Sequence, residues 1–475
     1  MLTIFSNGNI VLMTIWMPTL RRQKPLYLEI ADAIRQDLAG GTLKPGDRLP
    51  PQRDLAYRLG VTTGTVTRAY AEVEKMGLLS GEVGRGSYLK APSAMAQPFT
   101  PMRKETSGII DLSLATAPMV QQHRELDTAL EQVMQSPARL DLLNYPPPDG
   151  YPLHREMGVT WLKRSGITVR ESQVIVTAGA QAAIIAVLAS ITQPGDRMFV
   201  EGLNYPTIKP IARQAGISLV PLEMDDGGLV PEALERAARN GEARLLYVVP
   251  TLQSPTTASL SADRRNAIVE IARRYSMTVI EDDLFRLLDP RVQPPTLYSM
   301  MPERTYHITS ISKTLAPGLR VGFLIGPEGR EDGLVRQQTV AGGRSVGLAA
   351  EVARHWIESD TAGRILSAII DENAGRRVIA REVFRGREML CNPGAPYMWL
   401  KLPDPWEPGD FVRSCLDRGV KITPGTAFAI DRRADDRAVR VCFGGAASGE
   451  ELRRALLLIN GVLDENPVER FTQVA

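Results

Sequence analysis

Ser310-Ile311-Ser312-Lys313-Thr314-Leu315-Ala316-Pro317-Gly318-Leu319-Arg320-Val321-Gly322 is the stretch around which the chain is organised. Upstream, an apolar run at Val279-Ile280 ends in Glu281-Asp282-Asp283, and a half-apolar segment, Tyr306-His307-Ile308-Thr309, feeds into the serines. Lysine is the side chain that forms imines with aldehydes. Here it sits between small hydroxyl residues, with an arginine seven positions on. Ser310 and Arg320 suit a phosphate, the arginine through its planar fork. Pro317-Gly318 forces a turn that brings Arg320 back toward Lys313. Taken alone, a Ser-Lys pair reads as an exposed loop lysine; the whole stretch reads as an imine-forming lysine beside a phosphate cup.

At 475 residues the chain exceeds one ordinary domain, and two or three are expected. A hydrophobic share of 44% with 23% charged residues fits a soluble globular protein with a large core. The net charge of +2 excludes a polycation, so any nucleic-acid binding must be local. Cys391, Cys415 and Cys442 are odd in number and lack metal-type spacing, which fits a reducing cytoplasm and argues against a disulfide framework or zinc site. His123, His154, His307 and His355 are scattered and form no metal motif, so no metal is expected. The apolar run from Ile10 to Trp16 is too short to span a bilayer, and no membrane association is expected. Met13-Thr14-Ile15-Trp16-Met17 reads as a natural beginning; residues 1–12 then read as an upstream extension, and 1–16 are set ahead of the first domain.

In residues 17–90, Leu26, Ile30, Ile34 and Leu38 recur every four residues, the apolar face of a helix. Leu55 and Leu59 line a second short helix closed by Gly60, and Val66, Tyr70 and Val73 line a third from about Thr62 to Met76. Residues 78–89 read as two short strands around a glycine-rich tip. Two helices joined by a tight glycine turn and followed by a hairpin make a winged helix-turn-helix pattern. Twelve basic against eight acidic residues make this segment more basic than the remainder. The motifs Pro25-Leu26-Tyr27, Leu43-Lys44-Pro45-Gly46-Asp47-Arg48-Leu49-Pro50, Arg53-Asp54-Leu55-Ala56, Thr65-Val66-Thr67-Arg68-Ala69-Tyr70 and Gly84-Arg85-Gly86-Ser87 resemble the GntR-type winged-helix domain. The resemblance implies that the third helix enters the major groove of a double-stranded operator with Thr63, Gly64 and Thr65 at base edges. It also implies that Arg53, Arg68 and Arg85 meet phosphates or a groove edge. Each arginine taken singly also reads as a solvated surface charge. The alternative for the domain is a winged helix that binds something other than DNA.

Residues 91–108 mix Pro, Ser, Gln and Thr without periodicity and read as a flexible linker, roughly 25 Å end to end. From 109 to 475, apolar runs at 174–176, 197–200, 245–249, 278–280, 307–309 and 322–325 alternate with helical patterns such as 181–191 and 264–275. That alternation predicts an α/β fold with a mostly parallel sheet covered by helices on both faces, and ligands at the carboxyl ends of the strands. Gly179-Ala180-Gln181 opens a helix, where free N–H groups suit phosphate. Tyr205 lies in a Pro-flanked loop, placed to stack on a planar ring or to pack in the core. Asp282 ends a buried strand, where an unpaired carboxylate is costly; a protonated pyridine nitrogen would offset that cost. Arg440, in an apolar strand, wants a carboxylate, either a ligand's or one of the protein's own.

Together these residues resemble the fold type I aminotransferase domain over nearly all of 109–475, with a small subdomain at about 346–475. The resemblance implies pyridoxal 5'-phosphate (PLP) as cofactor. Lys313 matches the lysine of the internal aldimine, Asp282 the partner of the ring nitrogen and Tyr205 the stacking aromatic. Gly179, Ala180, Gln181, Ser310 and Arg320 match the phosphate cup, and Arg440 the arginine for a ligand carboxylate. Tyr145, before Gly150, resembles the tyrosine that reaches a partner subunit's phosphate, and a homodimer is implied. Two positions depart from the family pattern. Ser254 stands where an asparagine bonds the cofactor's phenolic oxygen, and Phe285 where a tyrosine commonly does so. These departures put efficient transamination in doubt. A GntR-type domain followed by an aminotransferase-like one resembles the MocR-type transcription regulators over residues 21–475. That resemblance implies a cytoplasmic DNA-binding regulator that senses an amine or amino acid by external aldimine formation on PLP. The alternatives are an active aminotransferase with an appended DNA-binding domain, and a repressor whose aminotransferase-like fold serves only to dimerise.

Overall fold

The computed structural model describes residues 16–18, 25–39, 42–43, 47–75, 79–82, 86–89, 108–431 and 437–465. The chain divides into two compact units, residues 1–100 and 101–475. Among the described residues, no helix is long and apolar enough to cross a membrane.

The first unit is a three-helix winged helix: α1 (Leu26–Ala39), α2 (Gln52–Leu59), α3 (Thr63–Lys75), then the antiparallel hairpin β1 (Leu79–Glu82) and β2 (Gly86–Leu89). The four-residue spacing read from the sequence buries Ile30, Ile34 and Leu38 against Leu55, Val66, Tyr70 and Val73. Gly60 ends α2 with φ 63°, the left-handed conformation that glycine adopts without a Cβ penalty. Thr62 then accepts the Thr65 N–H at 3.2 Å and caps α3. Trp16, which the sequence reading set ahead of this domain, is 5% exposed in its core and donates its indole N–H to Asp37 at 2.7 Å. Residues 1–15, the linker at 91–107 and Arg85 lie outside the described residues.

The second unit is built on a seven-stranded sheet: β3 (Ile175–Thr177), β4 (Arg197–Glu201), β5 (Ser218–Leu222), β6 (Leu245–Val248), β7 (Thr278–Asp282), β8 (Thr305–Ser310) and β9 (Gly322–Ile325). Their spatial order is β3-β9-β8-β7-β6-β4-β5. All neighbours are parallel except β9, which runs antiparallel to β8 and β3. Helices cover the sheet; Ile184 and Val187 of the helix Ala180–Ile191 pack on Ile280, Ile308 and Leu324. The central strands are buried on both sides, which is why Leu245–Val248 reads as a continuous apolar run, while Thr305–Ser310 is as buried although it carries Thr, His and Ser.

The C-terminal part carries a four-stranded antiparallel sheet: β10 (Met389–Leu390), β11 (Tyr397–Lys401), β12 (Thr423–Pro424) and β13 (Ala438–Cys442). The helices Thr361–Val383 and Gly449–Leu463 pack beside it. Its core includes Met398, Leu400, Phe411, Val441 and Leu456, and it also takes in Ile110 and Leu112 from the start of the unit.

Candidate functional site

Five parallel strands of the large sheet end on the same side, and a candidate residue follows each end. Thr177 leads to Gly179, Glu201 to Tyr205, Val248 to Ser254, Asp282 ends β7 itself, and Ser310 leads to Lys313. Parallel strands expose this edge to ligands because the crossovers open a crevice there.

Asp282 is 4% exposed. Its Oδ2 accepts the Tyr247 hydroxyl at 2.5 Å, while Oδ1 is buried with no hydrogen-bond partner. Burial pushes its carboxyl up to about 6, against the pull of the Tyr247 hydrogen bond. Lys313 donates from Nζ to the Ala115 carbonyl at 2.7 Å. Removal from water, then the nearby Arg440, brings its ammonium down to about 8, with Asp282 opposing. A buried carboxylate oxygen that lacks a donor, and an amine made neutral more easily than usual, are what a protonated pyridine and an aldehyde require. Tyr205 is half-buried, and its phenol is raised by burial while feeling Asp282, Arg320 and Arg440.

Gly179, where the resemblance expects phosphate, caps the helix Ala180–Ile191 at φ 85°. A Cβ there would lie 3.0 Å from the Arg320 guanidinium, so only glycine lets the arginine approach the helix start. Arg320 donates to the Ala178 carbonyl at 3.1 Å and is exposed, with its own backbone left-handed at φ 52°. The Pro317-Gly318 turn and this backbone bring the Arg320 guanidinium to the start of the helix Ala180–Ile191. Ser310 is buried, Ala180 is buried and Gln181 is exposed. The residues present fit a phosphorylated pyridine aldehyde.

Arg440, 2% exposed, lies 4.6 Å above the Phe428 ring and 5.4 Å from that of Tyr397. It donates to Ser254 Oγ at 2.9 Å and to the Ser113 carbonyl at 2.8 Å. Both of these acceptors are neutral. Ser254 thus sits with Arg440, the residue the resemblance gives to a ligand's carboxylate. Phe285 is buried, edge-on to Tyr397 at 5.6 Å. Tyr145 stands apart from this cluster and is 92% exposed.

Three contributors escaped the sequence reading. Tyr247 carries the only hydroxyl in its buried strand Leu245–Val248, and that hydroxyl inside an apolar run was the available signal. Glu201 is fully buried, accepts from Asn204, Val249 and Gln253, and is pushed up to about 8 by burial. The carbonyls of Ser113 and Ala115 are backbone groups and leave no mark in the sequence.

In the first unit, Arg53, Thr63 and Gly64 are exposed and Thr65 is half-buried at the start of α3. Arg68 is exposed, with its guanidinium 4.1 Å from the centre of the Tyr27 ring, a cation–π stack that fixes its direction.

A model of the aminotransferase class I and II family matches residues 107–459, and one of the bacterial regulatory proteins of the gntR family matches 26–89. The HTH-type transcriptional regulator YdeF of Bacillus subtilis is 28% identical over 451 residues, covering 95% of this chain and 97% of its own length. The vitamin B6 salvage pathway transcriptional repressor PtsJ of Salmonella typhimurium is 33% identical over 305 residues, 62% of this chain and 66% of its own. An archaeal alanine:glyoxylate aminotransferase superposes with TM-score 0.71 at 21% identity, over 76% of this chain and 92% of that one, a likeness of fold. The chain belongs to the MocR-type regulators, in which a GntR-family winged helix-turn-helix is joined to a fold type I aminotransferase-like domain.

Proposed function

We propose that this regulator binds PLP through Lys313 and reads an amine or amino acid at the same site, changing its grip on an operator. The observation that carries the reading is the buried, partnerless Oδ1 of Asp282, whose carboxylate and the Lys313 amine feel each other's charge. When bound, PLP supplies an aldehyde that condenses with a primary amine and a ring that withdraws electrons. Asp282 would hold the ring nitrogen's proton, with Tyr247 fixing the carboxylate's orientation. Tyr205 would stack on the ring. Arg320, Ser310 and the N–H groups following Gly179 would hold the phosphate. Arg440, steadied by Ser254, would take the ligand's carboxylate. In the first unit, Thr63, Gly64 and Thr65 would face base edges, and Arg53 and Arg68 phosphates.

A homodimer is part of the same reading. Leu142 packs against the start of the helix Gly347–Glu358, and exposed Leu140, Leu143, Tyr145, Val346 and Leu348 lie on these neighbouring segments. An apolar face of this kind suits a second copy of the chain and would bring Tyr145 to the partner.

The test is an absorbance spectrum of the protein with PLP, followed by a panel of amines and amino acids, with operator binding measured in parallel. PtsJ's name makes vitamin B6 compounds worth including. A visible band that shifts with one compound, a change in DNA affinity and no product are expected. A band that cycles with keto-acid release while DNA affinity stays constant would establish the second reading, an aminotransferase. That reading draws on the same Lys313–Asp282 pair, but Ser254 and Phe285 weigh against it. No band at all would leave a fold that only dimerises.

Ser254→Asn supplies an amide donor where the family bonds the phenolic oxygen. It is expected to move the pH titration of the visible band downward, because the donor favours the ionised oxygen. An unchanged titration would leave this position serving Arg440 alone.

A further inference from the structure

The segment 111–117 lies near the start of the second unit, and it touches two cations of the site, Lys313 and Arg440. Its first end rides on the C-terminal sheet. Ile110 N–H donates to Gly419 O, Leu112 N–H to Lys421 O and Cys442 N–H to Leu112 O, each at 2.8 Å. Thr423 Oγ1 donates to Ser113 O at 3.1 Å, beside Arg440 at 2.8 Å. Its far end lies in the core of the large subdomain, where Ala115 and Ala117 are buried. There Ala115 O accepts from Lys313 Nζ at 2.7 Å. Just beyond, Gln122 donates to both Pro118 O and Leu315 O at 3.0 Å and so ties this end to the lysine's own loop. The backbone of the segment is pressed on two glycines. A Cβ on Gly444 would lie 1.9 Å from Thr116 O, and one on Gly445 would lie 1.8 Å from Asp111 O.

We propose that segment 111–117 is a strap that senses whether Lys313 is a free amine and passes that state to the chain leading to the DNA-binding unit. The inference rests on the PLP reading given above. A free Lys313 has N–H groups to donate to Ala115 O. A Lys313 engaged covalently by the cofactor's aldehyde has lost the ammonium that made this hydrogen bond, and the strap loses its direct tie to the lysine, keeping only the Gln122 bonds and its buried alanines. An amine effector that takes the aldehyde frees Lys313 and restores this tie. The strap's other end moves with the C-terminal sheet, so the change is felt where the strap joins the preceding chain.

The experiment compares the full-length protein loaded with PLP and with pyridoxamine 5'-phosphate. The two share ring and phosphate, but only PLP has an aldehyde for Lys313. Hydrogen exchange is followed on peptides covering 108–117, and operator affinity is measured on the same samples. Exchange on the order of tenfold faster with PLP is expected, the factor for one hydrogen bond to a charged donor. A difference of at least about threefold in operator affinity is expected between the two forms, a fraction of that one bond. Gly445→Ala, which drives a methyl into Asp111 O, is expected to equalise the two affinities. Should it misfold, Thr423→Val, which removes only the hydroxyl donor to Ser113 O, is expected to narrow the difference. A visible PLP band with equal exchange in the two forms, or with equal operator affinity, overturns the strap and leaves the PLP reading standing. If PLP gives no band, that reading fails and the strap falls with it.

Discussion

Lys313→Ala is expected to abolish the visible absorption band of the PLP-treated protein and every change in operator affinity on adding an amine. Lys313 supplies the primary amine at the position where the resemblance places the aldehyde, and alanine leaves no amine there to condense. Phosphate and ring contacts from Arg320, Ser310, Tyr205 and Asp282 remain, so PLP is still expected to bind, reversibly and without the band. Removing the side chain breaks one hydrogen bond, to Ala115 O at 2.7 Å. It also relieves the cost of holding an ammonium away from water, so thermal stability is expected to change by no more than about 1 kcal/mol. The measurement is paired: a spectrum after dialysis, and DNA binding across the amine panel. A variant that keeps the full DNA response without the band would separate sensing from Lys313. The proposed function would then fail at its central residue.

Much of this site was legible because strand ends in a parallel sheet are also where chemistry collects. The runs ending at Thr177, Glu201, Val248, Asp282 and Ser310 are apolar because they are buried on both faces, and the residues that follow them are the ones that cannot be explained by packing. The strand Ser218–Leu222 was missed for the opposite reason. It is an edge strand, mostly half-exposed, and Pro221 within it is tolerated only where one side of the ladder is open. The antiparallel course of β9 follows from the short connection between Ser310 and Gly322, which leaves no room for a crossover helix. What remained hidden was carried by the backbone. No residue type announces that the Ser113 and Ala115 carbonyls will face Arg440 and Lys313, since any residue supplies the same oxygen. Gly444-Gly445 marks the close approach only once the opposing strand is known. Arg68 shows the reverse case: its charge was legible, but its stack on Tyr27 depends on how α1 and α3 pack.

The rate at which PLP is captured should carry the signature of the perturbed lysine. Only the neutral amine attacks an aldehyde, so the rate follows the deprotonated fraction of Lys313. Burial first, and the Arg440 charge second, lower this ammonium from an ordinary 10.5 to about 8. At pH 7 about one molecule in ten then presents a neutral amine, against about one in three thousand for an unperturbed lysine. Capture is therefore expected to rise with pH to a midpoint near 8 and to level off above it, followed by the growth of the visible band after mixing. Arg440→Met removes a cation that disfavours the ammonium, so the midpoint should move to higher pH and capture at pH 7 should slow. The sign is fixed by the charge, since losing a positive neighbour can only make protonation easier. A wild-type rate that climbs steadily through pH 10 would mean that Lys313 behaves as an exposed lysine, and the buried, cation-flanked amine would not be the group that PLP meets.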